Sequence, residues 1–148
     1  MPTDAVILER HIAARPRTVF SFFSEPDKWL AWMGKDGEFT FEPGGPYRTT
    51  VRGDNVAEGR FTEIDAPKRL AFTWGWTEGD MADMAVTPGT STVEITLDGV
   101  GEGTLLRLTH RGLPSPEACA AQAEAWTHYL RRLVVWAEGG DPGPDDWT

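Results

Sequence analysis

Apolar and polar residues alternate over residues 5–13, near the start of the chain. A period of two predicts a β-strand with one buried face. Arg10 has the parity of the apolar positions, so its guanidinium is expected to need a carboxylate partner. A neighbouring side chain such as Glu63 and a bound ligand are the two candidates, and the protein side chain is the more common solution.

Two short helices are predicted after this strand. Pro16 and Pro26 each precede a cluster of bulky apolar residues, and proline is favoured in the first turn of a helix. Gly34 is expected to end the second helix.

The period of two returns over residues 37–111, which divide into strands separated by Gly- and Pro-rich turns. The clearest strand covers residues 70–76, and a long polar loop is expected over residues 77–90. Strands of hairpin length predict one strongly curved antiparallel sheet. Phe61 and Ile64 cannot both face its buried side without a β-bulge.

The last third of the chain changes to helical spacing. Ser115 and Pro116 are a favourable N-cap and first residue, and the amphipathic helix is expected to end near Glu138. The concave face of the sheet is the only large partner for its apolar stripe. The prediction is an α+β fold in which the sheet grips a long C-terminal helix. Residues 1–138 then form one domain, and residues 139–148 an acidic, Pro/Gly-rich tail.

Composition and charge narrow the classes of partner. The 148 residues include 14 Lys and Arg against 23 Asp and Glu, a formal net charge of −9. Without a basic face, nucleic acid and anionic membranes are poor partners. The single cysteine, Cys119, allows neither an intramolecular disulfide nor a site of paired thiolates. No signal-peptide pattern or apolar run of roughly 20 residues is present, so a soluble, cytoplasmic protein is predicted.

Several short motifs occur in a recognisable order. They lie at residues 10–16, 29–32, 42–48, 59–64, 69–74 and 103–110. Over residues 5–137 the chain resembles the START-like helix-grip superfamily (SRPBCC), and within it the bacterial homologues of the activator of the heat-shock protein 90 ATPase. One departure is Ala125-Trp126, where the family commonly has Gly-Trp, and the extra methyl narrows the approach of helix to sheet. The resemblance implies the fold more than the function, because this fold hosts carriers, cyclases, receptors and chaperone activators.

Aromatic side chains are abundant, with seven Trp, seven Phe and two Tyr. Many fall on the concave sheet face, the long helix and the two short helices, where they either fill the core or wall a cavity for an apolar ligand. The predicted ligand-binding residues are Trp29, Trp32, Tyr47, Phe72, Trp74, Trp76, His110, Trp126 and Tyr129. Trp29 and Trp32 are expected at the mouth of the cavity.

Candidates for catalysis are few. His110 and His128 are predicted near the cavity and could act as a general acid or base, although a hydrogen-bonding role is the more common one. Three scattered histidines and one cysteine predict no transition-metal site. A Gly-x-Ser-x-Gly motif is absent, and Cys119 has no adjacent base. No catalytic residue, metal or cofactor is therefore predicted.

The sequence is compatible with three functions. The leading prediction is a module that encloses a small hydrophobic or aromatic molecule between the sheet and the C-terminal helix. The alternative is a cyclase/aromatase- or hydrolase-like enzyme acting on such a molecule. The resemblance implies a third, a chaperone-ATPase-activating module with a role in stress response. Monomer and homodimer are both compatible with the sequence.

Overall fold

A computed structural model describes residues 5–34, 36–51, 55–78, 89 and 91–143. The elements in chain order are β1 (Ala5–Ile12), α1 (Pro16–Ser24), α2 (Pro26–Trp32), β2 (Asp36–Phe39), β3 (Pro46–Val51), β4 (Asn55–Asp65), β5 (Arg69–Glu78), β6 (Ser91–Val100), β7 (Gly103–Arg111) and α3 (Pro116–Ala137). The predicted α+β arrangement is confirmed.

The strands form a seven-stranded antiparallel sheet in the order β1-β7-β6-β5-β4-β3-β2. The first two strands therefore lie at opposite edges, and the chain between them must cross the sheet. The helices α1 and α2 make that crossing. The central strand is β5, which pairs with β4 on one side and β6 on the other.

Alternation along the strands matches the predicted burial. In β6, Val93, Ile95 and Leu97 are buried and the residues between them are half-buried. In β4, the register shifts between Phe61 and Glu63, as the predicted bulge requires. The extra residue lets Phe61 enter the core while Ile64 remains half-buried.

The long helix begins at the predicted cap. The Ser115 side chain accepts a hydrogen bond from the backbone N–H of Ala118 at 3.1 Å, which satisfies one of the free donors of the first turn. The helix lays its apolar stripe, including Leu130 and Leu133, into one core with the sheet.

Arg132 joins this helix to two other parts of the chain. Its buried guanidinium donates to the carbonyls of Ala31 and Trp32, both at 3.2 Å, at the C-terminal end of α2. A third bond, of 2.9 Å, goes to the carbonyl of Gly143 in the predicted tail. A cation at a helix C-terminus also meets the negative end of the helix dipole.

The structure differs from the sequence prediction at the end of β5, and it describes only part of the predicted loop and tail. The strand β5 continues to Glu78, two residues into the predicted loop, and the rest of that loop falls largely outside the described residues. Trp147 and the end of the tail also lie outside them. None of the described helices has the length and apolar character that crossing a membrane requires.

Candidate functional site

The predicted ligand-binding side chains all lie in the core between the concave face of the sheet and the helices. Each is at most 4% exposed: Trp29, Trp32, Tyr47, Phe72, Trp74, Trp76, His110, Trp126 and Tyr129. The fold therefore brings them into one interior region, which divides into a part beside α2 and a part beside α3.

The rings beside α2 are packed against one another. Trp29 lies at the centre, with its ring centroid 5.6 Å from that of Phe72, 5.8 Å from Trp32 and 6.1 Å from Tyr47. Trp32 donates its indole N–H to the carbonyl of Phe22 at 2.8 Å. Trp29 and Trp32 are 0% and 1% exposed, so they belong to the core and not to a cavity mouth.

Tyr47 is held between β3 and the central strand. Its hydroxyl donates to the carbonyl of Thr73 at 2.6 Å, and burial raises its pKa well above the usual value. Gly59 lies opposite Tyr47 in the sheet, and a Cβ there would stand 2.0 Å from that same carbonyl oxygen. Glycine is therefore required for this close approach of β4 to β5.

The rings beside α3 surround a small cavity of about 10 Å³. That is the space of about one water molecule. Trp74 meets Trp76 and Trp126 with ring centroids 5.3 and 5.1 Å apart. The described residues that line it are Met33, Val51, Trp74, Trp76, Gln122, Ala125, Trp126 and Tyr129. In α3, the lining positions 122, 125, 126 and 129 form one helical face.

His110 belongs to a buried chain of hydrogen bonds next to this cavity. The indole N–H of Trp126 donates to Nδ1 of His110 at 3.1 Å. The Nε2 atom of His110 lies 2.8 Å from the Ser91 hydroxyl, which itself donates to the carbonyl of Trp74 at 2.7 Å. Because Nδ1 accepts, the proton of the neutral ring is on Nε2, where it is donated to Ser91.

This arrangement decides the chemistry that His110 can perform. The Ser91 proton points to a backbone carbonyl, so the imidazole is not placed to remove it, as a nucleophilic serine would require. Burial lowers the pKa of His110 to about 3. The residue is therefore a neutral structural link between β6, β7 and α3.

Gln122 is the feature to which sequence reasoning assigned no role. It lies on the apolar stripe of α3, is 1% exposed and lines the cavity. Within the described chain, neither its Nε2 nor its Oε1 has a hydrogen-bond partner, and the same holds for Nε1 of Trp29, Trp74 and Trp76. A carboxamide on an otherwise apolar helical face was the available signal.

The other candidates lie away from the cavity. His128 is half-buried against the ring of Tyr129. Glu63 pairs with Arg69 at 2.9 Å, and three strands separate it from Arg10 on β1, so Glu63 is not the partner that was expected for Arg10. Arg10 is half-buried and donates to the carbonyl of Glu9 instead.

A larger groove of about 440 Å³ lies at the surface, where β1 and β7 meet the C-terminal end of α3. The Glu138 carboxylate in this groove accepts a hydrogen bond from the backbone N–H of Ala13 at 2.8 Å, so this acidic group of the groove already has a partner. The unpartnered buried polar atoms lie elsewhere. Across the described ranges, no three His, Cys, Asp or Glu side chains are placed to hold a metal ion.

Comparison with known proteins identifies the family of this chain. The family model for the Activator of Hsp90 ATPase homolog 1-like protein matches residues 13–138. The chain belongs to this family. None of the curated proteins matches it. The AHSA1-like protein of Rhizobium etli, solved in solution, is 48% identical over 97% of this chain and 88% of its own, with a TM-score of 0.75.

Two solved structures of lower identity show the fold alone. DynU16, from the dynemicin biosynthetic locus, is 22% identical with a TM-score of 0.83, over 99% of this chain and 52% of its own. The Aha1 dimer from Colwellia psychrerythraea is 18% identical with a TM-score of 0.76, over 94% of this chain and 98% of its own. The helix-grip fold that the sequence predicted is thereby confirmed.

Proposed function

We propose that this protein binds a small aromatic or hydrophobic molecule between the central strand β5 and the helix α3. The observation that supports the proposal is the cavity walled by Trp74, Trp76 and Trp126, with buried polar atoms that lack partners in the described chain. A few convergent polar groups on an apolar lining are typical of a small-molecule site. Tyr129 also lines the cavity, and the rings of Tyr47, Phe72 and His110 lie next to that of Trp74.

The size of the cavity sets a condition on binding. At about 10 Å³ it is far below the ~300 Å³ of a typical ligand pocket. A ligand must therefore move the rings that line the cavity, and α3 with them. Binding of this kind rearranges the protein, and part of the interaction energy offsets the lost packing.

A matched pair of variants tests the proposal. Ala125 lines the cavity, whereas Glu124 is its exposed neighbour on α3. Ala125→Leu fills the space that the ligand would enter, and Glu124→Leu adds the same side chain outside it. Isothermal titration with naphthalene and 2-naphthol is expected to detect binding to the wild type and Glu124→Leu, and loss of binding in Ala125→Leu. Failure of both probes to bind the wild type, or equal binding to both variants, overturns the proposal.

An enzymatic function has less support from the site. A proton-transfer enzyme needs an ionisable group facing its substrate with a pKa suited to the task. The described lining has no carboxylate, histidine, lysine or arginine. His110 is the nearest histidine, and its hydrogen bonds to Trp126 and Ser91 leave no free nitrogen for a substrate.

A chaperone-activating function is the second candidate, since the matched family is named for that activity. It would use the protein surface and not the cavity. Glu94, which bonds to Arg69 and Arg111 in a charged group on β5, β6 and β7, is one place to test it. Stimulation of a purified chaperone ATPase that survives Ala125→Leu but is lost in Glu94→Arg would favour this function. Cytoplasmic location and a monomeric or homodimeric state are parts of the same proposal.

A further inference from the structure

The carboxamide of Gln122 is buried, but it makes no hydrogen bond within the described chain. It is 1% exposed, and its donor and its acceptor both lack partners in the described chain. An unsatisfied buried polar group opposes folding, so each one calls for an explanation. A methionine or leucine would pack at this position without that cost.

The position of Gln122 suggests what the carboxamide is for. It lines the cavity together with Trp74 and Trp76, whose indole N–H groups also lack partners in the described chain. By contrast, Trp32 and Trp126 donate to Phe22 and His110. Three of the unpartnered side chains thus meet at one cavity, where they offer several N–H donors and one carbonyl acceptor.

The charge of the surroundings restricts the group that could be bound. No described side chain in the cavity lining is charged, and the chain carries a formal net charge of −9. A buried carboxylate or phosphate would lose its hydration without gaining a cation. A neutral hydroxyl or carbonyl would instead satisfy the donors and, for a hydroxyl, also the acceptor of Gln122.

We infer that Gln122 is a specificity-determining residue that selects aromatic ligands bearing a neutral hydroxyl or carbonyl group over bare hydrocarbons and over carboxylates. This inference rests on the proposed function, because it assigns the polar end of a ligand held between β5 and α3. The aromatic body lies among the tryptophan rings, and its polar group hydrogen-bonds to the Gln122 carboxamide.

Three compounds with one ring system test the selection: naphthalene, 2-naphthol and 2-naphthoate. Isothermal titration at pH 7 is expected to show that the wild type binds 2-naphthol about tenfold more tightly than naphthalene, the gain of one hydrogen bond. Binding of 2-naphthoate is expected to be at least tenfold weaker than that of 2-naphthol.

Gln122→Met is the matched variant, since it keeps the length of the side chain and removes its hydrogen-bonding atoms. The tenfold preference for 2-naphthol over naphthalene is expected to disappear in this variant, while naphthalene binds as well as before. Equal affinities of the two compounds for the wild type would overturn the inference and leave the proposed function standing. A preference for 2-naphthol that survives in Gln122→Met would also overturn it. If none of the three compounds binds, the inference falls together with the proposed function.

Discussion

His110 makes the stability of this protein depend on pH in a direction that the structure determines. In the folded chain its ring is neutral, with one nitrogen accepting from Trp126 and the other facing the hydroxyl of Ser91. Protonation would place a second donor against the Trp126 N–H, inside a core where none of the described residues puts an acid beside the ring. His110→Gln removes the titrating group and retains an amide that can hydrogen-bond in its place.

The size of the effect follows from the shift in pKa. His110 has a pKa of about 3 in the folded chain against 6.5 for an ordinary histidine. Because the folded value is the lower one, the contribution to stability is complete above pH 6.5 and is lost as the pH falls toward 3. Between pH 7 and pH 4.5 the wild type should lose about 2–3 kcal/mol through this residue alone.

Urea denaturation at pH 7 and pH 4.5 measures the effect. Carboxylates such as Glu94, whose pKa is lowered by hydrogen bonds from Arg69 and Arg111, also destabilise the fold in acid. They are the same in both proteins, so they cancel in the difference between wild type and variant.

His110→Gln is expected to be less stable than the wild type at pH 7, and the gap should narrow by about 2–3 kcal/mol at pH 4.5. His11→Gln makes the same substitution at an exposed position and is the control for the change of side chain itself. A gap for His110→Gln that does not change with pH would refute the assignment of a buried neutral imidazole.

Three further substitutions probe the cavity and the end of the chain. Gln122→Met should raise the free energy of unfolding by about 1–3 kcal/mol, because it removes unsatisfied buried atoms; a less stable variant in urea denaturation would contradict this. Ala125→Gly should cost about 1 kcal/mol of helix stability yet strengthen 2-naphthol binding by enlarging the cavity; unchanged or weaker binding in a calorimetric titration would count against it. Arg132→Met leaves the carbonyls of Trp32 and Gly143 without their donor, so it should cost about 1–3 kcal/mol and speed amide exchange over residues 139–143; wild-type exchange rates there would show that Arg132 does not hold this segment.

The architecture was predictable because it depends on local rules. Alternation in β6 and the Ser115 cap of α3 are properties of neighbouring residues, and both appear in the structure as the pattern predicts. The bulge after Phe61 was also predictable, since two apolar residues of opposite parity can share a face only if the register shifts. The pair of Arg10 and Glu63 was not, because parity does not reveal that Arg69 lies closer to that carboxylate.

The sequence by itself determined that many rings would meet between the sheet and the last helix, because burial follows from periodicity and hydrophobicity. Only the tertiary structure decided what those rings do. The separation of Trp74 from Trp126, the proton position on His110 and the lack of a partner for Gln122 within the described chain all depend on how distant elements approach one another. A cavity is the volume that the packed side chains leave unfilled. Its volume therefore depends on every side chain around it and on no single stretch of the chain.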